Sequence, residues 1–107
     1  MKLLQTTCIA ATLMISVPVF AADIAAGQAA FNTKGCINCH GEGGANPVTL
    51  VSSPPVPVLA GNSASYISAQ LTNFKSGSRQ STPMHVMAGL LDEDEMEDIA
   101  AYLNSQK

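Results

Sequence analysis

The sequence has no tryptophan, two tyrosines and three phenylalanines, and one of the three, Phe20, falls in an apolar leader. So few aromatics leave a small domain short of core-filling side chains, and domains near this size often lean on a staple or a cofactor. Basic residues are scarce as well. Beyond the leader, Lys34, Lys75, Arg79 and Lys107 stand against Asp23, Glu42, Asp92, Glu93, Asp94, Glu95, Glu97 and Asp98. That balance excludes nucleic acid as a partner, because nothing would neutralise its phosphates. No run of β-branched alternation is long enough to need a sheet, no segment repeats, and 107 residues suffice for one domain only.

Cysteine is also sparse: Cys8, Cys36 and Cys39. The first lies in a stretch that reads as a secretory leader. Met1-Lys2 is followed by an uncharged, mostly apolar run ending in Pro18-Val19-Phe20-Ala21-Ala22. A basic start, an apolar centre and small residues at the end describe a signal that is removed. Cleavage after Ala21 places Val19 and Ala21 at the two small-residue positions; cleavage after Ala22 is poorer, because Phe20 is bulky. The rival is an uncleaved anchor, since Leu3 to Ala22 is about long enough to span a bilayer. Gln5, Thr6, Thr7, Thr12 and Ser16 dilute that run, and no basic cluster follows it. The expected division is a cleaved signal peptide over 1–21 and one domain over 22–107, with no stable membrane insertion. Cys8 leaves with the signal, so the exported domain keeps two cysteines.

Three helical patterns organise that domain. The first runs from Asp23, a capping residue, to Thr33, with Ile24, Gly27, Ala30 and Phe31 on one face. Gly35 stops it, and helix resumes briefly at Cys36 to His40. Residues 41–61 carry Pro47, Pro54, Pro55 and Pro57 and read as a loop that wraps the domain. A second helix follows Asn62 or Ser63, with Tyr66, Ile67, Gln70, Leu71 and Phe74 in a stripe, and ends near Gly77. A polar turn then leads to Pro83-Met84-His85-Val86-Met87-Ala88, read as extended, pre-helical chain. The last helix starts after Leu91 with an Asp92/Glu95 capping box and an apolar face of Met96, Ile99, Ala100 and Leu103. The fold class is all-α.

Chemistry concentrates in Cys36-Ile37-Asn38-Cys39-His40. A zinc site needs four ligands, and beyond these cysteines only His40 and His85 offer further soft or nitrogen donors. A thioredoxin-like pair follows a strand, and none is visible. A disulfide across so short a loop stabilises little and leaves His40 unexplained. The remaining reading is the Cys-x-x-Cys-His motif of covalent c-type heme attachment. Both thiols, one helical turn apart, reach the same porphyrin edge and add across its vinyl groups, and His40 offers its imidazole to the iron.

Residues 23 to 104 resemble a small bacterial class I cytochrome c, similar to short monoheme periplasmic proteins and to single halves of diheme ones. The resemblance rests on Gly27 and Phe31, the Cys36–His40 motif, Pro57-Val58-Leu59-Ala60-Gly61, Tyr66, Gln70-Leu71, Phe74-Lys75-Ser76-Gly77, Met84 and Ala100-Ala101-Tyr102-Leu103. It implies a cytochrome c fold, with the N- and C-terminal helices crossing at Gly27 and the proline-rich loop wrapped around one heme. It also implies that Phe31 packs on Tyr102 and that the Pro57 carbonyl accepts a hydrogen bond from His40 Nδ1, which would orient the ring and raise its basicity.

Met84, His85 and Met87 compete for the second axial position. Methionine sulfur favours reduced iron and gives a closed site suited to electron transfer, whereas histidine would lower the potential. Met84 follows Pro83 as the family's ligand loop does and lies seven residues before Leu91, whereas Met87 reads as packing. With both axial positions filled, the expectation is a periplasmic electron carrier and not an enzyme, passing single electrons between redox proteins. The alternatives are a cytochrome subunit of a periplasmic dehydrogenase, or a sensor or peroxidase-like heme protein with an open sixth position. The acidic run 92–98 stabilises a helix N-terminus, or steers a basic partner.

Overall fold

In the computed structural model, which describes residues 11–12, 21–50 and 55–107, four of the five α-helices begin at a side chain that accepts from their own first turn. Asp23 caps α1 (Ile24–Thr33), Ser63 caps α3 (Ala64–Ser76), Ser81 caps α4 (Thr82–Gly89) and Asp92 caps α5 (Glu93–Ser105). At α5 the capping box is complete: Glu95 N–H donates to Asp92 at 2.8 Å, and Asp92 N–H donates to the Glu95 carboxylate at 3.2 Å. The short α2 (Cys36–His40) instead starts at Gly35, held in the left-handed region. Nearly all of the expected leader over 1–21 lies outside the described residues, as does Pro54. Among those described, no helix is long and apolar enough to cross a membrane.

Two readings of the chain change. The proline-rich stretch is not wholly irregular, because a single 3-10 turn forms at Glu42–Gly44. More important, Pro83-Met84-His85 is helix and not extended chain: it makes up most of the first turn of α4. Pro83 sits at the start of that turn, where its missing N–H would have had no partner anyway, and Ser81 supplies the cap. The proline thus opens a helix within a stretch expected to be extended, pre-helical chain.

α1 and α5 pack as the central pair. Phe31 and Tyr102 meet edge to face with ring centroids 5.7 Å apart, and Lys34 reaches Glu95 at 3.4 Å. The core joins Phe31, Ile67, Leu91, Met96, Ile99, Ala100, Tyr102 and Leu103, so α5 supplies most of it and α3 closes one side. Tyr66, expected in the α3 stripe, is 50% exposed. α3 turns Ile67 and Leu71 into the core, and the neighbouring position lies about 100° further round the helix.

Gly27 is buried at the crossing, where a Cβ would stand 1.9 Å from the carbonyl oxygen of Asp98. A methyl group there forces the two helices apart, whereas one at Gly89, the last residue of α4, meets nothing within 4 Å. Gly27→Ala is therefore expected to lose about 1–3 kcal/mol of unfolding free energy by overpacking. Gly89→Ala should be neutral or gain up to ~1 kcal/mol from helix propensity. Denaturant unfolding of the two variants beside the parent checks the contrast.

Candidate functional site

α1 hands the chain directly to α2. Lys34 closes α1, Gly35 turns at φ 87°, and Cys36, Cys39 and His40 follow within little more than one turn. Both cysteines are free thiols; Cys36 is half-buried against the core and Cys39 is exposed. Burial pushes the Cys36 thiol up, and the nearby Cys39 adds to that, against a backbone hydrogen bond that pulls it down. Among the described residues, no group of three or more His, Cys, Asp or Glu is arranged to hold a metal ion.

His40 is the one buried polar side chain among the described residues, at 6% exposure. Its Nδ1 lies 3.0 Å from the carbonyl oxygen of Pro57. A carbonyl only accepts, so Nδ1 carries the proton and Nε2 keeps its lone pair for a metal.

The acceptor is there because the glycines after α2 fold the chain back. Gly41 has φ 78°, and a Cβ on it would stand 2.2 Å from the Asn46 carbonyl oxygen. The Gly44 carbonyl accepts from Leu59 N–H at 2.8 Å and from Ala60 N–H at 3.2 Å, which docks the segment following Pro57. Val48 N–H donates to the Cys39 carbonyl at 2.9 Å, and Gly61 N–H to that of Leu103 at 2.9 Å. The near part of the loop is thereby fixed to α2 and its far end to α5, with the Pro57 carbonyl on His40.

The other candidate ligands stand apart on α4. Met84 is half-buried in its first turn, and its N–H is held by Ser81 Oγ at 3.4 Å. Met87 is half-buried one turn on, and its terminal methyl would touch a Cβ at Gly35 at 3.7 Å. His85 is exposed, with Nδ1 donating to the Phe74 carbonyl at 2.8 Å. Lys75 and Arg79 both have partners. Lys75 Nζ donates to the Leu91 carbonyl, and Arg79 donates to Gln70 at 2.7 Å while lying 4.6 Å over the Phe74 ring. His40 and Pro57 thus meet, Cys36 and Cys39 share one short helix, and Met84 comes from a separate element. The roles of His85 and Lys75 toward α3 and α4 were missed from sequence, because a backbone carbonyl partner leaves no mark in the residue pattern.

The donor set fits heme c. Two free thiols stand a helical turn apart, a buried imidazole has one nitrogen on a carbonyl and the other free to bind a metal, and α4 carries two thioethers, those of Met84 and Met87. Val48, Leu50 and Val58 of the wrapping loop are 41%, 44% and 53% exposed, apolar surface of the kind a porphyrin covers. These features define an all-helical domain built around a covalent heme. Residues 24–107 match the Cytochrome c family model, and the chain belongs to that family. Its cofactor is covalently bound heme c.

Cytochrome c4 of Stutzerimonas stutzeri is 38% identical over 96 residues, covering 81% of this chain and 42% of that protein. Cytochrome c-554(548) of Halomonas halodenitrificans is 38% identical over 93 residues, covering 81% of this chain and 100% of that protein. The solved cytochrome c4 of Acidithiobacillus ferrooxidans, described as supporting a complex-induced tuning of electron transfer, superposes with a TM-score of 0.66 at 34% identity. That match covers 84% of this chain and 53% of the other. The chain spans less than half the length of the Stutzerimonas cytochrome c4.

Gly44 links the glycine turn to the His40 acceptor. A Cβ there would stand 2.7 Å from Leu103 Cδ2 and 3.0 Å from Leu59 Cβ, at φ 68°. Gly44→Ala is expected to destabilise the holoprotein by about 2–4 kcal/mol, combining left-handed strain with overpacking. With His40 as an iron ligand it should also raise the reduction potential, because a displaced Pro57 carbonyl would make the ring a weaker donor to ferric iron. Denaturant unfolding and a spectroelectrochemical titration check the two effects.

Proposed function

We propose that this chain is an exported electron carrier of the bacterial periplasm, not an enzyme, in which His40 and Met84 ligate the iron of a single heme c held by Cys36 and Cys39. Heme c supplies a one-electron ferric/ferrous couple. The chain's own residues hold it, fix its axial donors and keep water from its iron. The observation that carries the reading is the buried His40 ring with Nδ1 on the Pro57 carbonyl. A ring fixed in that way presents Nε2 in one orientation, and little has to reorganise when the charge on the metal changes.

Met84 supports the carrier reading over the sensor or peroxidase reading. A thioether in the sixth position leaves no open coordination site for a substrate and favours the reduced iron. Met87 is the weaker candidate, because its tip packs beside Gly35. Met84→Ala is expected to abolish the methionine-to-ferric-iron charge-transfer band, and Met87→Ala to keep it. Absorption spectra of the two ferric variants decide, and the opposite pattern assigns the ligand to Met87. The intact mass of the secreted protein reports both heme attachment and removal of residues 1–21.

Much of the acidic run is already engaged. Asp92 and Glu95 form the capping box, Glu95 also meets Lys34, and Asp98 accepts from the Asp23 backbone N–H at 2.8 Å. Glu93, Asp94 and Glu97 remain to steer a basic redox protein. If they do, neutralising these three slows electron transfer to such a partner and flattens its dependence on salt, at a cost of about 0.3–1 kcal/mol for each of Glu93 and Asp94 in the first turn of α5. Stopped-flow transfer rates over a range of ionic strength measure this. Isolation of the protein only in a fixed complex with a dehydrogenase would instead make it a bound subunit.

A further inference from the structure

α4 is fastened to α3 from outside both helices' own hydrogen-bond ladders. In the loop between them, Arg79 N–H donates to the Asn73 carbonyl at 3.1 Å. Just beyond the far end of α4, Lys75 Nζ donates to the Leu91 carbonyl. Between these two, on α4 itself, His85 Nδ1–H donates to the Phe74 carbonyl at 2.8 Å. Phe74 lies in the last turn of α3, where carbonyls have no donor within the helix, so the imidazole fills a vacant acceptor. His85 is the residue next to Met84, and its fastening acts where the thioether leaves the backbone.

We propose that His85 is a positioning residue: its hydrogen bond to the end of α3 fixes α4 so that the Met84 sulfur stays on the heme iron. The inference rests on Met84 being the sixth ligand. The thioether is the weaker axial donor toward ferric iron, and its release requires α4 to swing or turn away from the cofactor. Such a movement pulls the His85 ring off the Phe74 carbonyl. The hydrogen bond therefore adds to the cost of opening the sixth position and is regained whenever the sulfur returns. Arg79 and Lys75 hold the approaches to α4, whereas His85 holds the turn that carries the ligand.

The test is binding of added imidazole to the ferric holoprotein, since an external ligand enters only when the sulfur is off the iron. His85→Ala is expected to raise the apparent affinity for imidazole about three- to tenfold, the equilibrium weight of one net hydrogen bond. His85→Asn, whose side-chain N–H stands near the place of Nδ1–H, should return it toward the parent value. Ser105→Ala, which removes a hydrogen bond within α5 to the Tyr102 carbonyl, should leave it unchanged and so controls for general loosening. Loss of the charge-transfer band in His85→Ala but not in His85→Asn supports the same conclusion in a stronger form. Equal imidazole binding by His85→Ala and the parent overturns the proposal, as does an equal rise in the Ala and Asn variants. Failure of the Met84 assignment shows separately, as a charge-transfer band that persists in Met84→Ala.

Discussion

Residue 27 has no side chain, and the rest of the molecule hangs on that fact. With only hydrogen facing the Asp98 carbonyl, α1 and α5 cross at backbone contact, closer than any pair of side chains would permit. The crossing is pinned at both ends of α1, by Asp23 N–H on the Asp98 carboxylate and by Lys34 on Glu95. α2 follows α1 after a single glycine turn, so the position of α1 fixes where Cys36, Cys39 and His40 stand. α5 in turn receives Gly61 at the Leu103 carbonyl, which holds the chain running back from Pro57. Both halves of the His40–Pro57 contact therefore refer to one helix pair.

That pair accounts for the packed side of the domain. Its core is Phe31, Tyr102 and the apolar face of α5, with α3 closing over Ile67. In the wrapping loop and on α3, large apolar side chains remain exposed, Val58 and Tyr66 among them at 53% and 50%. A chain without tryptophan and with so few other aromatics does not cover that surface with its own side chains. In this family a heme supplies the missing apolar bulk, and the covalent links remove any equilibrium by which it would leave. The cofactor is then a structural element as much as a redox centre, which explains how so short a chain has a stable interior.

Sequence and structure agree most closely where a feature is local. α1 and α5 begin at the capping residues the pattern marks, Asp23 and Asp92, and α3 at Ser63, one of the two starts it offered beside Asn62, because caps depend on neighbours within one turn. The Cys36–His40 motif is legible for the same reason, since its spacing is its geometry. α4 was not legible. Pro83 and the residues around it form a weak helix pattern, and a proline at the start of a helix looks in sequence like a proline that prevents one. Tyr66 kept an apolar face that the packing of α3 left outside. The fastening of α4 by His85 and Lys75 was invisible for a different reason: both donate to backbone carbonyls, and every residue has one.

On the proposed reading, the two axial donors are secured by unlike means, and the difference follows from where each lies in the chain. His40 arrives within a turn of two covalent anchors, is buried, and leans on a carbonyl whose segment is tied to Gly44 and α5. Met84 arrives on a helix with no covalent anchor, half-buried, and its turn is fastened to α3 through the exposed His85 hydrogen bond. Water competes more strongly for the exposed His85 bond than for the part-buried His40 bond, so the histidine side is the more rigid reference and the methionine side the more adjustable one. A carrier gains from that asymmetry. The iron keeps one donor whose orientation does not change with oxidation state, while the other is a soft sulfur whose strength of attachment is set by contacts on the outside of the fold. Substitutions in the connection between α3 and α4 can then tune the redox site without touching the core that α1 and α5 hold in place.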